Sequence, residues 1–180
     1  MRPMIRQFDA YIAAQIKRMP RWLQWPMTIV TFFGEPVVII GLFIVLAIMI
    51  YQSRNFVLLA SLTAALLGLV INTSAKLFFA RIRPDSPYVR KMWPHSYSFP
   101  SGHACGAMVM YGYISMLLWY SFGSTIGLVA ICIASILIFL IGISRLYLEA
   151  HFASDVVVGW LVGLATLMII WLWVKPVALF

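Results

Sequence analysis

The chain has 180 residues, of which 63% are hydrophobic and 10% are charged, and its mean hydropathy is +0.97. This composition excludes an ordinary soluble domain and indicates one domain-sized integral membrane protein. The formal net charge of +8 suits an anionic membrane surface or an anionic substrate. A nucleic-acid partner is not expected, because no basic patch has a soluble platform to carry it. Cys105 and Cys132 lie inside apolar runs and are expected to be buried hydrophobic side chains, not a disulfide or a metal pair.

Residues 1–26 are expected to form an amphipathic helix that lies on the membrane surface. Apolar side chains recur there at helical spacing, at Ile5, Phe8, Ile12 and Ile16. Basic side chains lie around them, at Arg2, Arg6, Lys17, Arg18 and Arg21. Trp22 and Trp25 follow and suit the depth of the lipid headgroups. A solvated basic tail is the alternative interpretation of this segment.

The remaining sequence predicts a membrane domain at residues 27–175 and a short tail at residues 176–180. Apolar runs long enough to cross a bilayer lie at about residues 27–51, 56–79, 101–120, 125–143 and 153–174. In the first run, Glu35 and Pro36 interrupt the apolar residues, so its regular helix is expected to begin near Pro36. The predicted fold class is all-α: a polytopic membrane helix bundle of about five transmembrane helices, with an N-terminal amphipathic interfacial helix.

Two polar connections, residues 80–100 and residues 144–155, hold most of the charged residues of this membrane domain. Two predicted spans separate these connections, so both emerge on the same side of the membrane. The other connections are short and carry few charges. Three clusters of polar residues at these connections are therefore expected to meet at one end of the bundle, although they are far apart in sequence.

The first cluster contains Lys76, Arg83 and Pro84, at the end of the second span. On a continuous helix, residues i and i+7 lie on one face about 10 Å apart, so these two cationic side chains can converge on one anion. Pro84 disfavours helix at Arg83 and is expected to release the chain there. The alternative is a structural role, in which Lys76 snorkels and the cations supply positive charge at a lipid interface. For Arg81, which would point elsewhere on the helix, this structural role is preferred.

The second cluster, Ser101, Gly102 and His103, begins the third span. Ser101 is a natural N-cap, Gly102 allows a ligand to approach the backbone, and the free N–H groups of a helix start favour an anion. The imidazole of His103 would lie beside that anion, and imidazole ordinarily titrates near neutral pH, as a general acid requires. An ordinary capped helix with an interfacial histidine is the alternative.

The third cluster contains Arg145, His151 and Asp155. On a helix, His151 and Asp155 would stack within hydrogen-bond reach, so the aspartate could hold one ring N–H and leave the other nitrogen as a nucleophile or base. Arg145 can hold a phosphate or carboxylate with its guanidinium fork. A structural pair and a contribution to a metal site remain alternatives. A metal is disfavoured, because three cations would share the pocket and two of the five acidic residues lie far away in sequence.

In order along the chain, residues 76–84 fit K-x6-R-P, residues 100–103 read P-S-G-H, and residues 144–155 fit S-R-x5-H-x3-D. This ordered set resembles the signature of the type-2 phosphatidic acid phosphatase superfamily. The resemblance implies a membrane phosphatase domain at residues 27–175, in which His151 is the nucleophile that forms a phosphohistidine and Asp155 orients it. It implies that His103 protonates the leaving oxygen and then activates water. The implied phosphate-binding residues are Lys76, Arg83, Ser101, Gly102 and Arg145.

Together, the residues and the resemblance predict a multi-pass lipid phosphatase that needs no metal or other cofactor. Its expected partners are membrane lipids and a lipid phosphate substrate, such as phosphatidylglycerophosphate, phosphatidate or undecaprenyl diphosphate. The alternatives are a phosphotransferase with an acceptor other than water and a non-catalytic protein that binds anionic lipid. Lys and Arg are concentrated at the active-site end, which favours the cytoplasm. Bacterial members of the family generally face outward, and we therefore expect an extracytoplasmic site.

Overall fold

The computed structural model describes residues 3–90 and 96–174, and within these ranges all regular structure is helical. The helices in chain order are α1 (Pro3–Lys17), α2 (Gln24–Phe32), α3 (Pro36–Gln52), α4 (Phe56–Phe79), the short α5 (Pro87–Arg90), α6 (Gly102–Phe122), α7 (Ser124–Tyr147) and α8 (Ala153–Val174). A 3₁₀ turn, Arg21–Leu23, leads into α2. The predicted tail at residues 176–180, and residue 175 before it, lie outside the described residues.

Five helical segments of the described chain are long and apolar enough to cross a membrane: Arg21–Gln52, Phe56–Phe79, Gly102–Phe122, Ser124–Tyr147 and Ala153–Val174. The predicted all-α bundle of about five transmembrane helices is therefore confirmed. The second and fifth spans have the predicted ends, whereas the fourth continues past residue 143 to Tyr147. Arg145 lies in that additional turn, where a cation interacts favourably with the negative end of the helix.

The first span is divided at the predicted position. Glu35 has an extended conformation (φ −64°, ψ 142°) between the end of α2 and Pro36, the first residue of α3. Proline has a fixed φ and no N–H, so it can begin a helix but does not continue one from the preceding turn. α2 packs against α7, whereas α3 packs against α4 and α6. The break places Gly34 and Glu35 beside His103 at the start of α6.

α6 is the central helix of the bundle and packs against α3, α4, α7 and α8. Its inward faces carry small or apolar side chains, and Ala104 and Cys105 have no exposed surface. Tyr113 is also fully buried, and its hydroxyl lies 2.8 Å from Ser61 Oγ of α4, which satisfies both polar groups within the apolar core. The expectation of a buried side chain is confirmed for Cys105.

The outer faces of the bundle are apolar, as a lipid environment requires. Large exposed hydrophobic side chains lie along α3, α4, α7 and α8, among them Ile44, Val70, Ile133 and Leu172. Cys132 is exposed on α7, so the expectation that it is buried is wrong. An apolar run in a membrane protein faces lipid as readily as it faces the protein core, and hydropathy alone does not distinguish the two.

α1 packs against α7 and α8 through only part of the apolar face that the sequence suggests, because Ile12 and Ile16 are half-buried. Asp9 is buried on this helix, whereas Ile5 and Phe8 keep 37% and 44% of their surface exposed. Met4 and Tyr11 are exposed as well. An acidic side chain thus anchors α1 to the bundle beside two half-buried isoleucines, and the other large apolar side chains of this helix stay exposed. The interfacial location of residues 1–26 stays a prediction.

Candidate active site

The helix that carries Lys76 ends before it reaches Arg83. Ala80 adopts the left-handed conformation (φ 45°, ψ 35°), and its N–H donates to the carbonyl oxygen of Lys76. A left-handed residue ends a helix locally, and here it does so earlier than Pro84 would. Arg81 and Arg83 therefore lie in the connection after α4. The expectation that Lys76 and Arg83 share one face of a continuous helix is wrong.

Contacts across the connection nevertheless bring these two cations to the start of α6. Arg83 Nε donates to Ser96 Oγ over 3.0 Å, and Lys76 Nζ lies 3.4 Å from the carbonyl oxygen of Tyr97. Lys76 also passes over Gly102, where an added Cβ would lie 3.6 Å from Lys76 Cε. The first and second clusters therefore meet as predicted, by way of the connection between the helices.

Arg81 lies between two aspartates. Its Nη1 donates to Asp155 Oδ1, and its Nη2 donates to Asp9 Oδ2 over 2.8 Å. The guanidinium carbon lies 3.9 Å from the centre of the Phe152 ring. The preferred role for Arg81, a positive charge at the lipid interface, is therefore wrong. Its side chain is 15% exposed and compensates the charge of two buried carboxylates.

His151 lies in the loop before α8, whereas Asp155 lies in the first turn of that helix. The expectation that both residues stand on one helix is wrong, because Asp155 caps the start of α8. Its Oδ2 accepts a hydrogen bond from the N–H of Phe152 over 2.9 Å. The two side chains still meet, with His151 Nδ1 3.5 Å from Asp155 Oδ2, although the ring N–H is not aligned for a hydrogen bond.

The other ring nitrogen of His151 faces the cationic end of the site. Arg83 Nη1 lies 3.1 Å from His151 Nε2. A guanidinium can only donate, so Nε2 accepts with its lone pair and the ring proton resides on Nδ1, towards Asp155. Burial lowers the pKa of His151 well below its usual value, and the nearby positive charges, foremost that of Arg83, act in the same direction. His151 is therefore a neutral imidazole with an available lone pair.

The start of α6 has the predicted cap. Ser101 Oγ accepts from the N–H of Ala104 over 3.4 Å, and the N–H of Ser101 donates to the carbonyl oxygen of Asp155 over 2.9 Å. These contacts use the polar groups of Ser101 within the protein, whereas Gly102 and His103 line a cavity. Ser101 holds the first turn of α6 against α8, and phosphate binding by Ser101 stays a prediction.

A carboxylate that the motifs do not include lies beside His103. Glu35 Oε1, at the break in the first span, is 3.2 Å from His103 Nε2, close enough for an ion pair although the N–H is not aligned for a hydrogen bond. Motif analysis misses this pairing because Glu35 and His103 are far apart in the sequence. A usable signal is nevertheless present, because an ionisable residue inside an apolar span is a functional candidate by default.

Arg145 is fully buried at the end of α7. Its Nη1 donates to Thr31 Oγ1 over 2.7 Å and to the hydroxyl of Tyr88 over 3.2 Å. Thr31 belongs to α2 and Tyr88 to α5, so Arg145 joins these two elements to α7. Its positive charge also helps to lower the pKa of His151, and it therefore acts on the same site electrostatically.

One cavity of about 670 Å³ collects most of the predicted site residues. Those that line it are Lys76, Arg83, Gly102, His103 and His151, and Glu35 lines it as well. The remaining predicted residues, Ser101, Arg145 and Asp155, lie behind this lining, where they hold the residues that face the cavity. The arrangement places cations, a neutral imidazole and a second imidazole with a carboxylate around one volume.

The cavity continues from this charged end towards the outer surface of the bundle. Its wall becomes apolar at Ile39, Ile40 and Leu69, and Ile40 is 55% exposed on the outside of α3. The cavity therefore reaches the apolar outer surface of the bundle between α3 and α4. Asn72 lines it one turn from Lys76, and its buried Oδ1 has no hydrogen-bond partner within residues 3–90 and 96–174. A molecule with a phosphate at one end and an apolar chain at the other fits this shape.

The sequence matches the model of the PAP2 superfamily over residues 56–178, more than half of the chain. The matched range contains all three motifs. The chain belongs to the PAP2 superfamily. This confirms the resemblance that the ordered motifs indicate.

Curated relatives of this PAP2 chain are named as phosphatases. It is 33% identical to phosphatidylglycerophosphatase B of Bacillus subtilis (strain 168) over 156 residues, which are 84% of this chain and 75% of that protein. It is 27% identical to undecaprenyl-diphosphatase of Sulfolobus acidocaldarius over 124 residues, which are 64% of this chain and 54% of that protein.

Solved PAP2 structures share the fold. A transmembrane PAP2-type phosphatidylglycerolphosphate phosphatase from Bacillus subtilis gives a TM-score of 0.81 at 28% identity, over 94% of this chain and 85% of that chain. Aquifex aeolicus LpxE gives a TM-score of 0.67 at 26% identity, over 89% of this chain and 93% of that chain. This PAP2 protein is therefore a multi-pass membrane hydrolase of the phosphatase class.

Proposed function

We propose that this PAP2 protein removes phosphate from a lipid phosphate monoester or diphosphate by way of a phosphohistidine at His151, without a metal ion. The observation that carries the proposal is the contact between Arg83 and His151 Nε2 at the charged end of a cavity that reaches the apolar outer surface of the bundle. A phosphate oxyanion there can accept hydrogen bonds from Arg83 and present its phosphorus atom to Nε2.

The chemistry proceeds in two steps. In the first, His151 Nε2 attacks phosphorus, the bond from phosphorus to the leaving oxygen breaks, and His103 donates a proton to that oxygen. The product is the lipid alcohol, or a lipid monophosphate when the substrate is a diphosphate. In the second step His103 takes a proton from water, the water oxygen attacks phosphorus, and inorganic phosphate leaves His151. Asp155 keeps the proton on Nδ1 and so preserves the nucleophilic tautomer.

Protein cations compensate the charge of the transferred group. Lys76 and Arg83 line the cavity, and Arg145 adds its charge from behind. A loose phosphoryl-transfer transition state is stabilised mainly by positioning and by positive charge around the phosphoryl oxygens. No group of three His, Cys, Asp or Glu side chains is arranged to hold a metal ion in the part of the chain that the structure describes.

The shape of the cavity supports a lipid phosphate as the substrate. The curated relatives are named for phosphatidylglycerophosphate and undecaprenyl diphosphate, and both are lipids that carry a phosphate at the polar end of a long apolar part, as does phosphatidate. We place the phosphate beside Arg83 and the chain between α3 and α4, along Ile40 and Leu69. Lipid can then enter sideways from the bilayer. We also propose that this end of the bundle faces the extracytoplasmic side, as the family resemblance implies.

Phosphate release by the purified protein in detergent tests this function. Wild-type protein should release phosphate from at least one of phosphatidylglycerophosphate, phosphatidate and undecaprenyl diphosphate, and EDTA should not slow it. His151→Ala should lower kcat by at least about 10³-fold, because the nucleophile is removed. Protein quenched during turnover should carry acid-labile phosphate on His151.

Other outcomes identify the alternatives. Turnover retained by His151→Ala would remove His151 as the nucleophile, and inhibition by EDTA that Mg²⁺ reverses would contradict the metal-free mechanism. A phosphorylated acceptor in place of inorganic phosphate would indicate a phosphotransferase. Binding of these lipids without any turnover would indicate a non-catalytic lipid-binding protein.

A further inference from the structure

Asp9 connects the N-terminal helix to the carboxylate that faces His151. Arg81 donates one N–H group to Asp155 and another to Asp9, the latter over 2.8 Å. Asp9 also accepts from the backbone N–H and from the hydroxyl of Ser154, over 2.8 and 2.9 Å. These contacts bury Asp9, although neither the motifs nor the two proposed steps of catalysis include it.

The charges in this network are unequal, because two carboxylates flank one guanidinium. If Arg81 faced Asp155 alone, its positive charge would offset most of the negative charge that lies opposite His151 Nδ1. Asp9 interacts with the same guanidinium, so part of the negative charge on Asp155 stays uncompensated. Asp155 is fully buried, so this difference is little screened by water or salt.

Asp9 also restricts where Arg81 can lie. A planar guanidinium that is held at both ends, with the Phe152 ring 3.9 Å away, has few alternative positions. Arg81 then holds Asp155 Oδ1, and the N–H of Phe152 holds Oδ2 over 2.9 Å. Both oxygens of the carboxylate are thereby fixed relative to the imidazole of His151.

We propose that Asp9 is a positioning residue of the active site, and that α1 therefore supports catalysis. The inference rests on the proposed role of His151 as the nucleophile. Through Arg81, Asp9 fixes the orientation of Asp155 and leaves part of its negative charge uncompensated. That charge keeps the ring proton of His151 on Nδ1 and leaves Nε2 as the nucleophile. Asp9 does not line the cavity that receives the phosphate. Its loss therefore reduces kcat and leaves KM nearly unchanged.

Asp9→Asn is the decisive variant, because it keeps the size of the side chain and an acceptor for Ser154 but removes the charge. We expect kcat for phosphate release to fall about 10- to 100-fold with KM changed by less than about twofold, by analogy with the loss of residues that orient metal-bound histidines. Asp85→Asn is the matched control. Asp85 pairs with Arg90 over 2.9 Å, but both side chains are exposed, so kcat should stay at the wild-type value.

A double-mutant cycle shows whether Asp9 acts through Arg81. Arg81→Met removes the link, and adding Asp9→Asn to it should cause little further loss of kcat. Additive losses would overturn the proposal, as would an unchanged kcat or a selective rise of KM in Asp9→Asn. If Arg81→Met does not fold, the comparison of kcat between Asp9→Asn and Asp85→Asn tests the proposal instead.

A wild-type protein that is inactive on every lipid would overturn the proposed function and this inference together. An active wild type with an equally active Asp9→Asn would overturn this inference alone.

Discussion

Each of the two histidines in this PAP2 site has a carboxylate beside it, but the two pairs differ in their surroundings. Asp155 is fully buried 3.5 Å from His151, whereas Glu35 is 3.2 Å from His103 and keeps 34% of its side chain exposed. A nucleophilic histidine needs a fixed tautomer. A histidine that transfers protons must also carry a charge for part of the cycle, and a nearby carboxylate stabilises the imidazolium.

Replacing Glu35 by glutamine should therefore slow the proton-transfer steps. Glutamine keeps the shape of the side chain but cannot stabilise a charged ring, so Glu35→Gln should lower kcat by about 10²-fold, the lower part of the range for general acid–base catalysis. Steady-state kinetics with the preferred lipid phosphate measure this effect. Glu149→Gln is the matched control, because the Glu149 carboxylate lies 3.8 Å from Lys17 on the exposed surface. Equal losses in both variants would contradict a specific role for Glu35.

The sequence motifs correctly predict that Lys76, Arg83, His103 and His151 line one cavity. The prediction is possible because cationic and imidazole side chains can act together on one anion. The motifs do not predict the partners behind them. Asp9 and Glu35 reach the site through packing of α1 against α8 and through the break before α3, and no local pattern encodes either contact. Their acidic character in a basic, apolar chain is the one feature of the sequence that marks Asp9 and Glu35 as candidates for a functional role.

At the level of helices, the apolar runs correctly predict the ends of α4 and α8, whereas the residue spacing wrongly extends α4 to Arg83 and α8 back to His151. α8 begins at Ala153, after His151, and α4 stops before the left-handed Ala80. Alanine is a strong helix former, so nothing in the local sequence announces a left-handed residue there. The conformation is held by contacts of Arg81 with residues from other parts of the chain, including the N–H of Ser98, which donates to the Arg81 carbonyl over 2.8 Å.

Gly159 determines how closely α8 approaches the start of α6. A Cβ at Gly159 would lie 2.6 Å from the carbonyl oxygen of Ser101, a backbone atom that cannot rotate away. Gly159→Ala should therefore separate the two helices and lower the free energy of unfolding by about 1–3 kcal/mol. It should also lower kcat by about 10²-fold, because the shift moves His103 relative to His151. Thermal unfolding in detergent and phosphate-release kinetics measure the two effects.

Gly41→Ala provides the comparison for this prediction. An added Cβ at Gly41 meets no atom within 4 Å, and alanine favours a helix over glycine by up to about 1 kcal/mol. The Gly41→Ala protein should therefore match or exceed the wild type in stability, with unchanged kcat. Wild-type kcat in Gly159→Ala would show that α6 and α8 can separate without disturbing the site.

For the molecule as a whole, the bilayer makes the count of spans predictable. Each crossing needs about 20 apolar residues, so the runs that become α4 and α8 are recognisable with their ends. α2 is too short to cross alone, and only its packing against α7 shows where it lies. Composition thus predicts the architecture, whereas the position of the short helices depends on contacts between distant parts of the chain.

Positive charge is distributed unevenly between the two ends of the bundle. Lys17 and Arg21 lie at the end that carries the site, whereas Arg54 lies in the turn at the opposite end. Lys76 and Arg83 are also at the site end, but they line the cavity, so the proposed phosphate binding accounts for their presence there. The cations of the cavity therefore give no information about orientation. The basic N-terminal segment and the exposed Arg90 on the polar connection are the features that oppose an extracytoplasmic site.

Cysteine labelling decides the orientation. Asp85→Cys places a thiol on the polar connection, where the Asp85 side chain is 76% exposed, and Gln52→Cys places one at the opposite end, where α3 ends. In intact cells a membrane-impermeant maleimide should label Asp85→Cys, and it should label Gln52→Cys only after permeabilisation. Cys105 is buried and Cys132 faces lipid, and the unsubstituted protein measures their background. The opposite pattern would show that the basic N-terminal segment determines the topology, and the lipid would then be dephosphorylated on the cytoplasmic leaflet.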